Sequence, residues 1–197
     1  MIFLVCVACD SEGQNGTHVD GNGPLSASSG NTRATLPRPP QIEGRWSGTF
    51  GGFKLCRTNS SGRIELLSAQ PARRVPAHEG EITPFVRTLR PNPGNAGIIS
   101  AFGSPPDFAE PYAQPHRGDF RQKIRGFEVK NRCGRKPDEG FDELLINLAS
   151  DTPGIEVDGL EVAYTYKGRP HTLHISAEMI LCGDTPEIRR YCEAARH

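Results

Sequence analysis

The stretch Leu160 to Cys182, LEVAYTYKGRPHTLHISAEMILC, most narrows what this chain can fold into. Leu160, Val162, Tyr164 and Tyr166 alternate with Glu161, Ala163, Thr165 and Lys167, a period of two rich in β-branched and aromatic side chains. Gly168-Arg169 fits the central pair of a type II′ turn, whose first position takes positive φ and therefore favours glycine. Pro170 then stands beside the turn, where a missing N–H costs least. With Lys167 opposite Pro170, Tyr166 meets His171, Tyr164 meets Leu173, Val162 meets Ile175 and Leu160 meets Ala177 on one apolar face. Thr165 with Thr172, Ala163 with His174 and Glu161 with Ser176 make the other face. The expectation is an antiparallel hairpin in a sheet with one wet side.

Strand parity bears on chemistry. In HTLH the two imidazoles would share a face on a helix. On a strand, His171 and His174 point to opposite faces and cannot chelate one ion together without a bulge. His171 is expected to pack beside Tyr166, with His174 in solvent.

Over 197 residues, Gly and Pro are abundant (22 and 17), and helix-period runs are scarce. This favours short strands and loops, in one domain of ordinary size. The formal net charge is zero, which removes the electrostatic case for general nucleic-acid binding. No apolar run reaches the roughly 18 to 20 residues of a membrane span.

The first residues, MIFLVCVACDSEG, carry an apolar run from Ile2 to Ala8 that ends in a small residue before Cys9. This resembles the end of a bacterial lipoprotein signal peptide, with Cys6 where Leu is usual and no Lys or Arg before the run. The resemblance implies cleavage before Cys9, a lipid on Cys9, and an extracytoplasmic chain anchored to the membrane. Residues 1–9 are then the signal segment. Residues 10–40, poor in large apolar side chains, read as a flexible Gly/Ser/Pro-rich tether. Residues 41–197 read as the β-rich domain.

Within that domain, Arg45 to Phe50 and Phe53 to Arg57 flank Gly51-Gly52, a hairpin signal that would set Phe50 opposite Phe53 and Arg57 over Trp46. Arg63 to Ser68 and Ile82 to Leu89 read as strands, the latter held to an edge by Pro84. Pro91 to Pro115 reads as a long loop, strand-like only over Ala96 to Phe102. Its Phe108, Tyr112 and the nearby His116 are the candidate binding surface. Arg117 to Lys136 is the most basic stretch, and Phe127, Val129 and Cys133 alternate within it. A solvated strand face is the preferred reading, a nucleic-acid or anionic-lipid patch the other. Asp138, Glu139, Asp142 and Glu143 read as a solvated turn. Leu144 to Leu148 reads as a short central strand. Thr185 or Asp184, Pro186 and Glu187 open a C-terminal helix over 185–196.

Cys56, Cys133, Cys182 and Cys192 allow three pairings, of which Cys182–Cys192 with Cys56–Cys133 is favoured. Without a Cys-x-x-Cys pair, neither structural zinc nor thioredoxin-like redox chemistry is expected. The sequence holds no Gly-x-Ser-x-Gly, His-Glu-x-x-His, P-loop or Gly-x-Gly-x-x-Gly.

Together these features predict an all-β, immunoglobulin-like antiparallel sandwich of about seven strands with a short C-terminal helix, a small β-barrel being the alternative. The functional expectation is a secreted, lipid-anchored cell-envelope domain that binds a protein or small ligand without catalysis and needs no cofactor. Two alternatives stay open. One is a copper or other metal carrier using His171 or His174 with His78, His116 or Met179. The other is an envelope hydrolase.

Overall fold

The structure, a computed structural model, describes residues 16–20, 22–27, 32–58, 61–75, 80–108, 118–151 and 153–194. The strands are β1 (Gly16–Val19), β2 (Leu25–Ser26), β3 (Thr32–Leu36), β4 (Trp46–Arg57), β5 (Ile64–Val75) and β6 (Glu81–Leu89). Then follow β7 (Ser100–Phe102), β8 (Asp119–Arg121), β9 (Phe141–Ser150), β10 (Ile155–Tyr166) and β11 (Arg169–Leu181), then helix α1 (Pro186–Ala194). They form an all-β sandwich of two sheets. One runs β1-β11-β10-β5, with β3 also on β11. The other runs β2-β4-β9-β6-β8, with β7 also on β4. Among the described residues there are eleven strands where about seven were expected.

The alternating residues of the long hairpin fill the space between the sheets: Leu160, Val162, Tyr164, Leu173 and Ile175 are all buried. Parity therefore comes out as expected, but the turn moves by one residue. Tyr166 pairs with Arg169 and Tyr164 with His171. Lys167 and Gly168, at φ of 51° and 76°, form the turn. Two positive φ values define a type I′ turn, whose twist matches that of the flanking strands. Lys167 is the costly member, since a Cβ crowds the left-handed region. Lys167→Asn is expected to raise stability by about 0.5–1 kcal/mol, read as a higher urea midpoint.

Gly51-Gly52 is not a hairpin turn. β4 runs straight through it, and a bulge falls between Phe50 opposite Ile146 and Phe53 opposite Leu144. A Cβ on Gly51 would lie 2.4 Å from a Leu145 methyl and 2.5 Å from the Ile98 carbonyl, and Gly52 holds φ at +87°. The glycines thus admit a covering loop. Arg57 consequently sits at the far end of β4 from Trp46, which packs on Phe102.

The flexible tether expected over 10–40 gives way, in its described parts, to paired strands. β1 and β3 both lie parallel to β11. Leu25, Ala27 and Leu36 are buried in the main core. Leu36 lies on β3 beside β11 and Leu25 on β2 beside β4, so the segment packs on later strands and need not supply a core of its own. Cys9 lies outside the described residues.

Cys56–Cys133 and Cys182–Cys192 form as expected, and such pairs persist in an oxidising, extracytoplasmic setting. Among the described residues no helix is long and apolar enough to cross a membrane. β9 is central, as expected, between β4 and β6. Pro84 lies on β6 beyond the three residues that pair with β8, so its missing N–H leaves no ladder bond broken there.

Candidate functional site

β9 is buried on both faces, and this decides the fate of its acidic start. Asp142 and Glu143, expected in a solvated turn, are 5 % and 0 % exposed; Asp138 and Glu139 alone stay at the surface.

Glu143 points away from the main core, beneath the chain from Arg90 to Phe108. Its Oε1 accepts the N–H groups of Gly52 and Ile98, each at 2.9 Å. Its Oε2 lies 2.6 Å from Arg87 Nη2, which also donates to the Ala96 carbonyl at 2.7 Å. Phe85, Ile98, Ala101 and Leu145 pack around this pair as a second apolar cluster, edged by Phe108 and Phe120. Burial pushes the Glu143 carboxyl up, opposed by the Arg87 charge and the two backbone donors. Arg87 bonds the Ala96 carbonyl and Glu143 accepts the Ile98 N–H, so the pair is a fastener for the loop.

Asp142 faces a cavity of about 580 Å³ at the end of the second sheet. The basic stretch lines it. In place of the expected strand, among the described residues only Asp119–Arg121 is regular, and the chain from Gln122 to Lys136 curls over the sheet end. Arg63, Arg90, Arg121, Lys130 and Arg135 supply five cations, against the carboxylates of Glu128, Glu139 and Asp142. Phe127 gives an apolar wall, with the Arg121 guanidinium 6.0 Å from its ring centre. Arg121 is held by the carbonyls of Lys123 and Arg125. Arg135 bonds Glu139 and Asn131, each at 3.0 Å. Among the described residues Lys130 has no ion-pair partner. The cavity carries a net positive charge above one buried acid.

That acid is held at both oxygens. Thr88 Oγ1 donates to Oδ1 and Asn131 Nδ2 to Oδ2, each at 2.9 Å. Burial raises the Asp142 carboxyl above the ordinary range, against the pull of these two bonds and of Lys130. A raised folded pKa contributes stability that is full below about pH 4 and is lost as pH climbs through the folded value. Asn cannot titrate. The stability advantage of the native chain over Asp142→Asn should therefore be widest near pH 4 and narrow toward pH 7, followed by urea melts across that range.

The histidines behave as strand parity predicts. His171 stacks on Tyr164 at 5.4 Å and meets Tyr166 edge-on, while His174 on the opposite face lies 3.7 Å from Glu161. Met179 is buried in the core. Among the described residues no group of three His, Cys, Asp or Glu is placed to hold a metal. Phe108 is half-buried against Phe120 at 5.8 Å. Tyr112, His116 and His78 lie outside the described residues. Sequence reasoning saw the basic stretch but not Asp142 beneath it, nor the Thr88 and Asn131 bonds that hold that acid. The density of Lys and Arg beside Phe127 was the one available signal.

No protein-family model, curated protein or solved structure matches this chain.

Proposed function

We propose that this chain is a non-catalytic binding domain of the cell envelope, exported and held to the membrane by a lipid on Cys9, which takes a compact anionic ligand in the cavity above Asp142. The carrying observation is that cavity: five cations against three carboxylates, beside an aromatic wall. Charge-assisted bonds to a carboxylate or phosphate are the contacts such a lining makes best. The two disulfides support the exported setting. The small residue and Cys at Ala8-Cys9 support the anchor. A non-catalytic role fits a lining without histidine, whose one deeply buried carboxylate already accepts two hydrogen bonds.

Thermal shift against phosphate, citrate and sulfate at fixed ionic strength tests the ligand class. At least one anion should stabilise the native chain. The same anion should bind Lys130→Ala and Arg135→Ala about tenfold or more weakly, the value of one charge-assisted bond. No shift with any of these anions, or a shift with Cu²⁺ or Zn²⁺ in their place, would remove the reading. Intact mass of the exported protein, with and without reductant, tests the anchor and counts the disulfides.

A further inference from the structure

We infer that the end of the sandwich carrying the Lys167-Gly168 turn docks against anionic phospholipid headgroups. The inference deepens the proposed anchoring on Cys9 and rests on it for orientation.

β1 runs parallel to β11, with Gly16 opposite His171, so its N-terminal end lies at the end where the hairpin turns. From Cys9 to Gly16 there are seven Cα steps, a reach of at most about 25 Å. β11 extends roughly 40 Å from Arg169 to the opposite end, where α1 lies. A lipid on Cys9 therefore holds the turn end close to the bilayer and leaves the α1 end farther out.

That near end is cationic. Lys167 and Arg169 are exposed on the hairpin. Tyr166 pairs with Ile64, which brings Arg63 beside them. Arg57 forms a bridge with Arg132, and Lys130 lies two residues before it. The Cys56–Cys133 bond pins this last segment in place. The nearby carboxylates, Glu65 and Glu128, both pair with Arg63. Among the described residues Lys130, Arg132, Lys167 and Arg169 have no ion-pair partner. These cations stand on a chain whose formal net charge is zero. Cations on a surface close to anionic lipid each strengthen attachment about fivefold.

The test uses the full chain carrying Cys9→Ser, which removes the lipid, and sedimentation with vesicles. Binding is expected to phosphatidylcholine vesicles containing about 30 % phosphatidylglycerol, absent from pure phosphatidylcholine, and lost as salt shortens the screening length. The triple variant Arg132→Glu, Lys167→Glu, Arg169→Glu should bind about a hundredfold more weakly. Arg189→Glu with Arg190→Glu on α1 should change nothing. Equal binding to both vesicle types, no binding to either, or equal loss in the two variant sets would overturn the inference. Mass spectrometry of the native exported chain reports the anchor separately, so a lipidated protein whose unlipidated form ignores phosphatidylglycerol sinks the headgroup contact alone. An effect of free phosphate without any of the vesicles would do the same and assign the cations to the cavity ligand.

Discussion

Glu143→Leu is expected to lower the unfolding free energy by about 3–5 kcal/mol. The leucine would fit among Leu145, Ile98 and Phe85, so packing is not the source of the loss. The loss comes from what Glu143 leaves behind. Arg87, 2 % exposed, keeps its charge without a counter-ion. The N–H groups of Gly52 and Ile98 lose their acceptor. Each orphaned buried donor costs about 1–3 kcal/mol. Arg87→Met attacks the same pair from the other side and should behave differently. Its carboxylate can escape by taking a proton, and burial already pushes that carboxyl up. A folded pKa raised further means stability held at acid pH and lost as pH rises through it. Arg87→Met should thus be mild near pH 4 and severe near pH 7, while Glu143→Leu should be severe at both. Urea titrations at the two pH values separate them. Hydrogen exchange should show the Ile98 and Gly52 amides opening first in Glu143→Leu, which removes their acceptor. Protection of those amides in Glu143→Leu would show that the loop is fastened by something else.

Opening Cys56–Cys133, by Ser at both positions, should cost about 4.5 kcal/mol, because the bond closes a loop of 77 residues in the unfolded chain. Opening Cys182–Cys192 should cost about 2.7 kcal/mol, since its separation is 10. Each comparison needs chemical denaturation of the oxidised, otherwise native chain. Equal losses, or a larger loss at Cys182–Cys192, would contradict the loop-closure account. The Cys56–Cys133 variant should also lose ligand affinity in the cavity even where it stays folded. That bond, with the Arg57 and Asn131 backbone hydrogen bonds, is what holds the segment from Lys130 to Arg135 over the sheet end. Retained anion affinity in the folded variant would mean that the segment keeps its place without the covalent link.

The hairpin was the most legible part of the chain because its signals are local. Alternation tells which residues face inward, and a Gly in a short polar break tells that the chain turns. The exact turn was less legible. Gly168 can serve as first or second central residue, and a shift by one position of the turn moves the pairing by two residues and leaves the faces unchanged. That is why Tyr164 is buried and His174 is not, although the partner of each differs from the expected one. Gly51-Gly52 illustrates the opposite case. The same dipeptide serves a tight turn or a bulge, and only the approach of Ile98 from 47 residues later decides between them. Asp142 and Glu143 were misread for a related reason. Charge in a sequence announces solvent unless partners bury it, and the partners here are Thr88 and Asn131 for one, Arg87 with two distant backbone amides for the other.

From sequence alone came the all-β class, the inward face of the long hairpin, the separation of its two imidazoles, and both disulfide pairs. These follow from backbone period, turn chemistry and the arithmetic of four cysteines, all of which act over short spans or few choices. Only the tertiary structure decided that the segment before Gln41 adds strands to the first sheet, that two acids lie under cover, and that the basic stretch rims a cavity. Those outcomes depend on which distant surface meets which, and burial is a property of the assembled sheets that no short span of residues carries by itself.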